Sequence, residues 1–221
     1  MEDSSSPTPA RPTRASILCR LIDLDATWSL HIHTIFQPLP RFLLKALEIS
    51  GDGRFWFPIP IALFLSPIAS ASPAFRQILI FMFFGSLFDL VAVGLIKFLI
   101  RRPRPAYNKG MHLVVAVDHW SFPSGHSSRV CFIAAFLYLS LASIAEAFSH
   151  LDRSGNEFVG RWVGSDGKVV ERFVFGVCLW SALTSVSRVL LGRHFVCDVI
   201  AGACFGVLEA LFVFYVVKGW I

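Results

Sequence analysis

The sequence predicts an all-α fold: a polytopic membrane helix bundle of five to six transmembrane helices, with an active site at one membrane face. Three observations carry that expectation. Of 221 residues, 55% are hydrophobic and only 16% are charged, whereas soluble domains carry about a quarter charged residues. Mean hydropathy is +0.63. Apolar runs near the roughly 20 residues that cross a bilayer as a helix recur along the chain. Such a composition excludes a disordered chain, a collagen-like repeat and a disulfide-stapled secreted scaffold. Twenty Lys and Arg against fifteen Asp and Glu give a formal charge of +5, which suits anionic headgroups or phosphorylated substrates. Nucleic acid is not expected as a partner, because an embedded chain exposes little surface to it.

Residues 1–16, rich in Ser, Pro and Arg, are expected to form a disordered tail preceding one membrane-embedded domain over residues 17–221. The tail has no basic n-region, long apolar stretch and small-residue cleavage site of the kind a signal peptide needs. From Ile17 to Phe36, apolar residues fall at positions 17, 21, 24, 28, 32 and 35, which is helical spacing. Arg20, Asp23, Asp25, His31 and His33 make the other face polar. This helix either packs on its neighbours as a first span or lies in the interface, and the packed span is preferred. Pro38, Pro40 and the Ser50–Arg54 stretch then punctuate the path.

Phe55 to Ser72 carries no charge but contains Pro58, Pro60 and Pro67, so a kinked span is expected. Ile78 to Ile96 is interrupted only by Asp89, and Val130 to Ala145 is short but uncharged. Phe173 to Leu191 contains Arg188 near its end, and Val199 to Val217 contains Glu209. The five cysteines, at 19, 131, 178, 197 and 204, form no CxxC pair and read as small buried hydrophobes. Neither Asn108 nor Asn156 lies in a glycosylation sequon, so no sugar fixes the topology.

Alternation of sides places the loop after Ile96, the start of the Val130 helix, the Leu191–Val199 loop and Ser50–Arg54 on one membrane face. Three motifs converge there. Lys97 is followed by Arg101-Arg102-Pro103-Arg104-Pro105, and the prolines must end the span near Arg102. The cations clustered at that helix mouth suit either anionic lipid or a phosphate clamp. Phe122-Pro123-Ser124-Gly125-His126 leads into the next helix. There Ser124 suits an N-cap, Gly125 lets the backbone approach a ligand, and the free amides suit an anion. Ser187-Arg188, His194 and Asp198 form the third motif. If the chain is helical by His194, Asp198 shares its face, and a carboxylate on one imidazole nitrogen leaves the other to attack or take a proton.

Lys97 with Arg104-Pro105, then Pro123-Ser124-Gly125-His126, then Ser187-Arg188 with His194 and Asp198 resemble the three signature motifs of the type 2 phosphatidic acid phosphatase superfamily. Their order and spacing match over about 100 residues, and the small size is most similar to lipid phosphate phosphatases of the plant beta type and to animal polyisoprenoid diphosphate phosphatases. The resemblance implies a hydrolase that removes the terminal phosphoryl of phosphatidate-type lipids, or alternatively of isoprenyl diphosphates. It implies a phosphohistidine intermediate and no cofactor or metal. His194 would be the nucleophile, Asp198 its orienting partner, and His126 the acid that protonates the leaving oxygen and then activates water. Lys97, Arg104, Ser124, the Gly125 amide and Arg188 would bind the phosphoryl oxygens.

Two other classes stay open at this point. Asp89 and Glu209 lie within spans, about 12 Å below Lys97 and about 16 Å below Asp198 by helix rise. Intramembrane acids can mark the ion path of a transporter or channel, or be hydrogen-bonded inside the bundle. A catalytically dead scaffold is the other alternative, although every motif position is filled. The motif face carries Lys97, Arg101, Arg102, Arg104, Lys109, Arg188 and Arg193, which simple positive-inside counting would place in the cytosol. The resemblance implies a lumenal or outward face, in the endoplasmic reticulum or another endomembrane. Headgroup preference and oligomeric state are not fixed by the sequence.

Overall fold

The computed structural model describes residues 14–107, 119–153, 155 and 168–218. Most of the expected tail, together with Asn108, Lys109 and Asn156, lies outside the described residues. Ten helices run through the remainder: α1 (Arg14–Ile35), α2 (Arg41–Ser50), α3 (Gly53–Trp56), α4 (Pro58–Phe64), α5 (Pro67–Ala71), α6 (Pro73–Ile100), α7 (Gly125–Leu139), α8 (Leu141–Arg153), α9 (Lys168–Leu190) and α10 (Val196–Lys218). The all-α membrane architecture is as expected.

Three helices are long and apolar enough to cross a membrane, Pro73–Ile100, Lys168–Leu190 and Val196–Val216. The pair α7 and α8, bent by 60° at their junction, makes a fourth if it is one broken span. The expected count of five to six is therefore not reached by length and hydropathy among the described residues. The largest departure is residues 55–72, expected as one kinked span. Pro58, Pro67 and Pro73 each open a new helix instead. A proline lacks the amide hydrogen that an interior helical position must donate, and the first turn is where that lack costs nothing.

α6, α7 and α10 meet where side chains are missing. A Cβ built on Gly202 would lie 2.4 Å from the Ser124 carbonyl oxygen, and one on Gly206 would lie 2.0 Å from that of Ser128. A Cβ on Gly85 would strike the Phe132 ring at 2.2 Å. Gly202 and Gly206 are the ends of a Gly-x-x-x-Gly stretch, which lets two helix backbones touch where lipid offers no hydrophobic drive to pack them. Below this seam Phe132, Ile133 and Phe136 of α7 pack with Leu79 and Met82 of α6 and with Ala210 and Val213 of α10. The seam sets the N-terminus of α7 against the N-terminus of α10.

α1 is packed with its polarity reversed. Its buried residues are Asp25 and Ser29, while Leu18, Leu21, Leu24 and Trp28 are exposed. Exposed apolar side chains are what a lipid-facing helix presents. The cysteines follow the same rule and correct the sequence reading: Cys19, Cys197 and Cys204 are exposed and Cys131 and Cys178 half-buried, all with free thiols.

Candidate active site

α6 stops where the prolines require. Arg101 adopts a left-handed conformation (φ 52°) and its amide bonds back to the Lys97 carbonyl at 2.9 Å. Lys97, in the last turn, is buried and its Nζ donates to the Trp120 carbonyl at 3.1 Å. Beyond the turn, Pro103 bridges to Trp120, and the Ser121 amide donates to the Arg102 carbonyl at 2.8 Å. The arginine-proline segment thus holds Ser121 in place.

Ser124 is the N-cap of α7, its Oγ accepting from the Ser127 amide at 3.4 Å. Its own amide donates to the Asp198 carbonyl at 3.0 Å, which ties the second motif to the third. A Cβ on Gly125 would meet only Val93, at an ordinary 3.4 Å, so packing within the protein does not account for the glycine. His126 follows in the first turn. Its Nε2 is buried and has no hydrogen-bond partner among the described residues, and it lies within electrostatic range of Arg188, His194 and Lys97.

α9 ends at Leu190, and two residues on Gly192 turns the chain with a φ of +72°, the left-handed value that glycine adopts freely. The next residues bring His194 into the site. Its Nδ1 lies 2.7 Å from the Ser121 carbonyl oxygen and its Nε2 3.2 Å from Arg104 Nη1. A carbonyl only accepts and a guanidinium only donates, so the two contacts together select the Nδ1–H tautomer and leave the Nε2 lone pair facing the cations. Burial, followed by the positive charges of Arg104, Arg188 and Lys97, holds this imidazole well below its ordinary pKa. It is therefore neutral near pH 7.

Asp198 is arranged differently from the sequence expectation. α10 begins at Val196, so His194 precedes the helix and does not share a helical face with Asp198. The carboxylate stands 3.7 Å from His194 Nδ1. It accepts instead from the Phe195 amide at 2.9 Å and from Arg102 Nη1 at 2.7 Å. The first of these is half of a capping box, with the third helical residue reaching back to the N-cap amide. The imidazole contact expected of Asp198 is made by the Ser121 carbonyl.

All eight residues expected in the site, Lys97, Arg104, Ser124, Gly125, His126, Arg188, His194 and Asp198, come together at the joined ends of α6, α7, α9 and α10. Several neighbours of these residues were missed in the sequence. Arg102, counted only as one of several cations, bridges Asp198 and Asp25 at 2.7 Å each. Asp25 also accepts from the Cys197 amide at 3.1 Å, and Ser29 from the Val196 amide at 2.9 Å. α1 thereby satisfies two of the amides that open α10. Asp25 and Ser29 are four residues apart, a helical repeat that marks one face but names no partner for it. Glu48 of α2 contacts Arg188 at 2.8 Å and Arg193 at 3.3 Å. Deeper in the bundle, Asp89 accepts from Ser128 Oγ and stands 3.5 Å from Arg129, an internal pairing of one of the two intramembrane acids. Among the described residues no three His, Cys, Asp or Glu side chains gather as metal ligands.

Comparison with known proteins matches residues 78–221 to the PAP2 superfamily model. Over 196 residues, covering 87% of this chain and 88% of the relative, the sequence is 44% identical to a probable lipid phosphate phosphatase beta of Arabidopsis thaliana. It is 27% identical over 180 residues to phosphatidylglycerophosphatase B of Bacillus subtilis strain 168, covering 81% of this chain and 68% of that one. The fold is similar to the crystal structure of a transmembrane PAP2-type phosphatidylglycerolphosphate phosphatase from Bacillus subtilis. The TM-score there is 0.66 at 22% identity, over 91% of this chain and 86% of that chain.

Proposed function

The chain belongs to the PAP2 superfamily, and from that premise we propose which lipid phosphates it hydrolyses and how its residues do so. It is a multi-pass membrane lipid phosphatase, a hydrolase of phosphoric esters. Its substrates are phosphatidate-type lipids, from which it removes the terminal phosphoryl through a phosphohistidine on His194. The observation that carries this mechanism is the imidazole, with Nδ1–H donated to the Ser121 carbonyl and the Nε2 lone pair turned toward Arg104.

In the first step Nε2 of neutral His194 attacks phosphorus, the P–O bond to the lipid breaks, and His126 gives its proton to the departing lipid oxygen. In the second step His126, now a base, takes a proton from water, whose oxygen attacks phosphorus as the P–N bond breaks. The transferring phosphoryl spreads negative charge over three oxygens, so positioned cations supply most of the stabilisation. Lys97, Arg104 and Arg188 with the Gly125 amide and Ser124 fill that role. Asp198 acts at one remove, by holding Arg102 and the Phe195 amide that set the His194 loop.

We place the site on the lumenal face of an endomembrane such as the endoplasmic reticulum. Support comes from how the basic residues on that face are used. Arg102 is paired with Asp25 and Asp198, and Arg188 and Arg193 with Glu48. Their charges are committed within the protein and do not report a cytosolic loop. The deciding experiment is phosphate release by purified protein in detergent from phosphatidate, lysophosphatidate, diacylglycerol pyrophosphate and an isoprenyl diphosphate, with and without EDTA. The expected result is turnover of phosphatidate, unchanged by EDTA and absent in His194→Ala. Turnover confined to the isoprenyl diphosphate would reassign the substrate, and activity retained by folded His194→Ala would overturn the mechanism.

A further inference from the structure

Glu48 stands outside the segment that matches the family model, residues 78–221, and outside every motif. Its Oε1 nevertheless lies 2.8 Å from Arg188 Nη1 and 3.3 Å from Arg193 Nε. Both arginines are almost fully buried, so the carboxylate touches them where water does little to weaken the contact. Burial alone would raise the Glu48 pKa, but Arg188 and Arg193 outweigh it and hold the carboxyl below its ordinary value. The side chain is therefore ionised near neutral pH.

The carboxylate is held in place by its helix. Two residues on, the Ser50 carbonyl accepts from Trp56 Nε1 at 2.7 Å and Ser50 Oγ accepts from Trp180 Nε1 at 2.9 Å. A Cβ on Gly51 would meet Thr184 at 2.9 Å and Val130 at 3.2 Å, so the end of α2 is pressed against α9 and α7. A flexible surface acid would bend away when a dianion arrived. One fixed by two tryptophans stays.

We propose that Glu48 is a built-in counter-charge that weakens the hold of Arg188 on phosphate, and so sets how readily the product leaves. This rests on the reading of Arg188 as a phosphoryl ligand. The same guanidinium faces the dianionic substrate headgroup, the transition state and the released phosphate. Affinity shared equally by all of them does not accelerate the chemical step, and tight holding of product slows the cycle. A fixed negative charge lowers affinity for the bound ground states and for the anionic transition state alike. The transition state keeps its additional contact, the bond forming to His194 Nε2.

The test is inhibition of purified protein in detergent by inorganic phosphate and by vanadate. Glu48→Gln keeps the shape and removes the charge. The expected result is a phosphate Ki lower by on the order of tenfold, about 1.4 kcal/mol, with vanadate moving the same way. Glu48→Asp, one methylene shorter, should tighten phosphate by less and serves where Glu48→Gln does not yield monodisperse protein. Arg188→Lys should loosen it. If Arg188→Lys loosens phosphate while the Glu48 variants leave it unchanged or weaker, Glu48 only positions the arginines and the counter-charge is overturned. If neither position moves the Ki, Arg188 is not a phosphate ligand and the site reading fails with it.

Discussion

In the proposed mechanism His194 and His126 do opposite things, although both lie within reach of Arg188 and Lys97. On that mechanism His194 attacks as a free base. Its pKa is lowered by burial and by Arg104, Arg188 and Lys97. Lowering the pKa of a base extends its active, neutral form to more acid pH, so His194 should remain unprotonated as the pH falls through 6.5, its ordinary value. ¹⁵N-histidine spectra of the protein in detergent should show an Nδ1–H tautomer that does not titrate there. Arg104→Gln, which removes one cation, should raise the titration point. A His194 signal that titrates at 6.5 in both would remove the electrostatic account of the nucleophile. His126 is probed through the leaving group, since a general acid is worth about 10²–10⁴ in rate and most when the leaving group is poor. His126→Gln should depress kcat/KM strongly for phosphatidate, less for an isoprenyl diphosphate and least for an activated aryl phosphate. Equal losses across the three would make His126 a phosphate-positioning residue. Among these side chains the motif residues were legible in the sequence, because each sits at a helix mouth with a chemistry that needs explaining. Ser121 was not. Its contribution is a backbone carbonyl, which every residue owns, and only the fold decides which one meets an imidazole.

Helix packing decides whether those groups meet at all. The Gly202–Gly206 stretch brings the α10 backbone against the carbonyls of Ser124 and Ser128, one of which belongs to the N-cap of the helix carrying His126. Gly206→Ala should force the two helices apart, because its Cβ would begin 2.0 Å from a backbone oxygen that no rotamer change can move. The expected outcome is a loss of several-fold or more in kcat/KM together with a lower unfolding temperature. The same substitution at Gly94, where a Cβ meets nothing within 4 Å, should leave both unchanged. A Gly206→Ala protein with wild-type activity and stability would show that the seam is looser than drawn. The Gly-x-x-x-Gly spacing was present in the sequence and would have located this contact, although not its partner. The proline-rich stretch of residues 55–72 shows the opposite difficulty. Its apolar composition satisfied the length of a span, while the local rule that proline opens helices made Pro58 and Pro67 the first residues of α4 and α5.

For the molecule as a whole, the family-matched segment and the N-terminal portion contribute unequal kinds of information. Residues 78–221 carry the family match and every motif. α1 and α2 carry none, yet they supply Asp25, Ser29 and Glu48, the side chains that brace α10 and face the site arginines. Such residues are illegible in a single sequence because their partners lie far along the chain, 172 residues away for Asp25 and Cys197. Their meaning is a product of topology. The topology also bears on orientation. An N-glycosylation sequon introduced between residues 108 and 118 should be modified in microsomes if the site faces the lumen, and one placed after residue 218 should not. Modification of the second alone would put the site in the cytosol.

The hydrogen bonds from α10 to α1 carry a consequence for biosynthesis. Ser29 is translated 167 residues before Val196, the amide it receives, and Asp25 waits longer for Cys197. During that interval the polar side of α1 has none of its eventual α10 partners, and neither His194 nor Asp198 has been made. On the proposed mechanism, ribosome-bound chains that stop short of His194 therefore have a lipid-facing anchor but no nucleophile and no finished site. On the same mechanism hydrolytic competence begins only when the earliest and latest of the described helices meet, and an interrupted polypeptide left in the bilayer is expected to be inert toward its lipids.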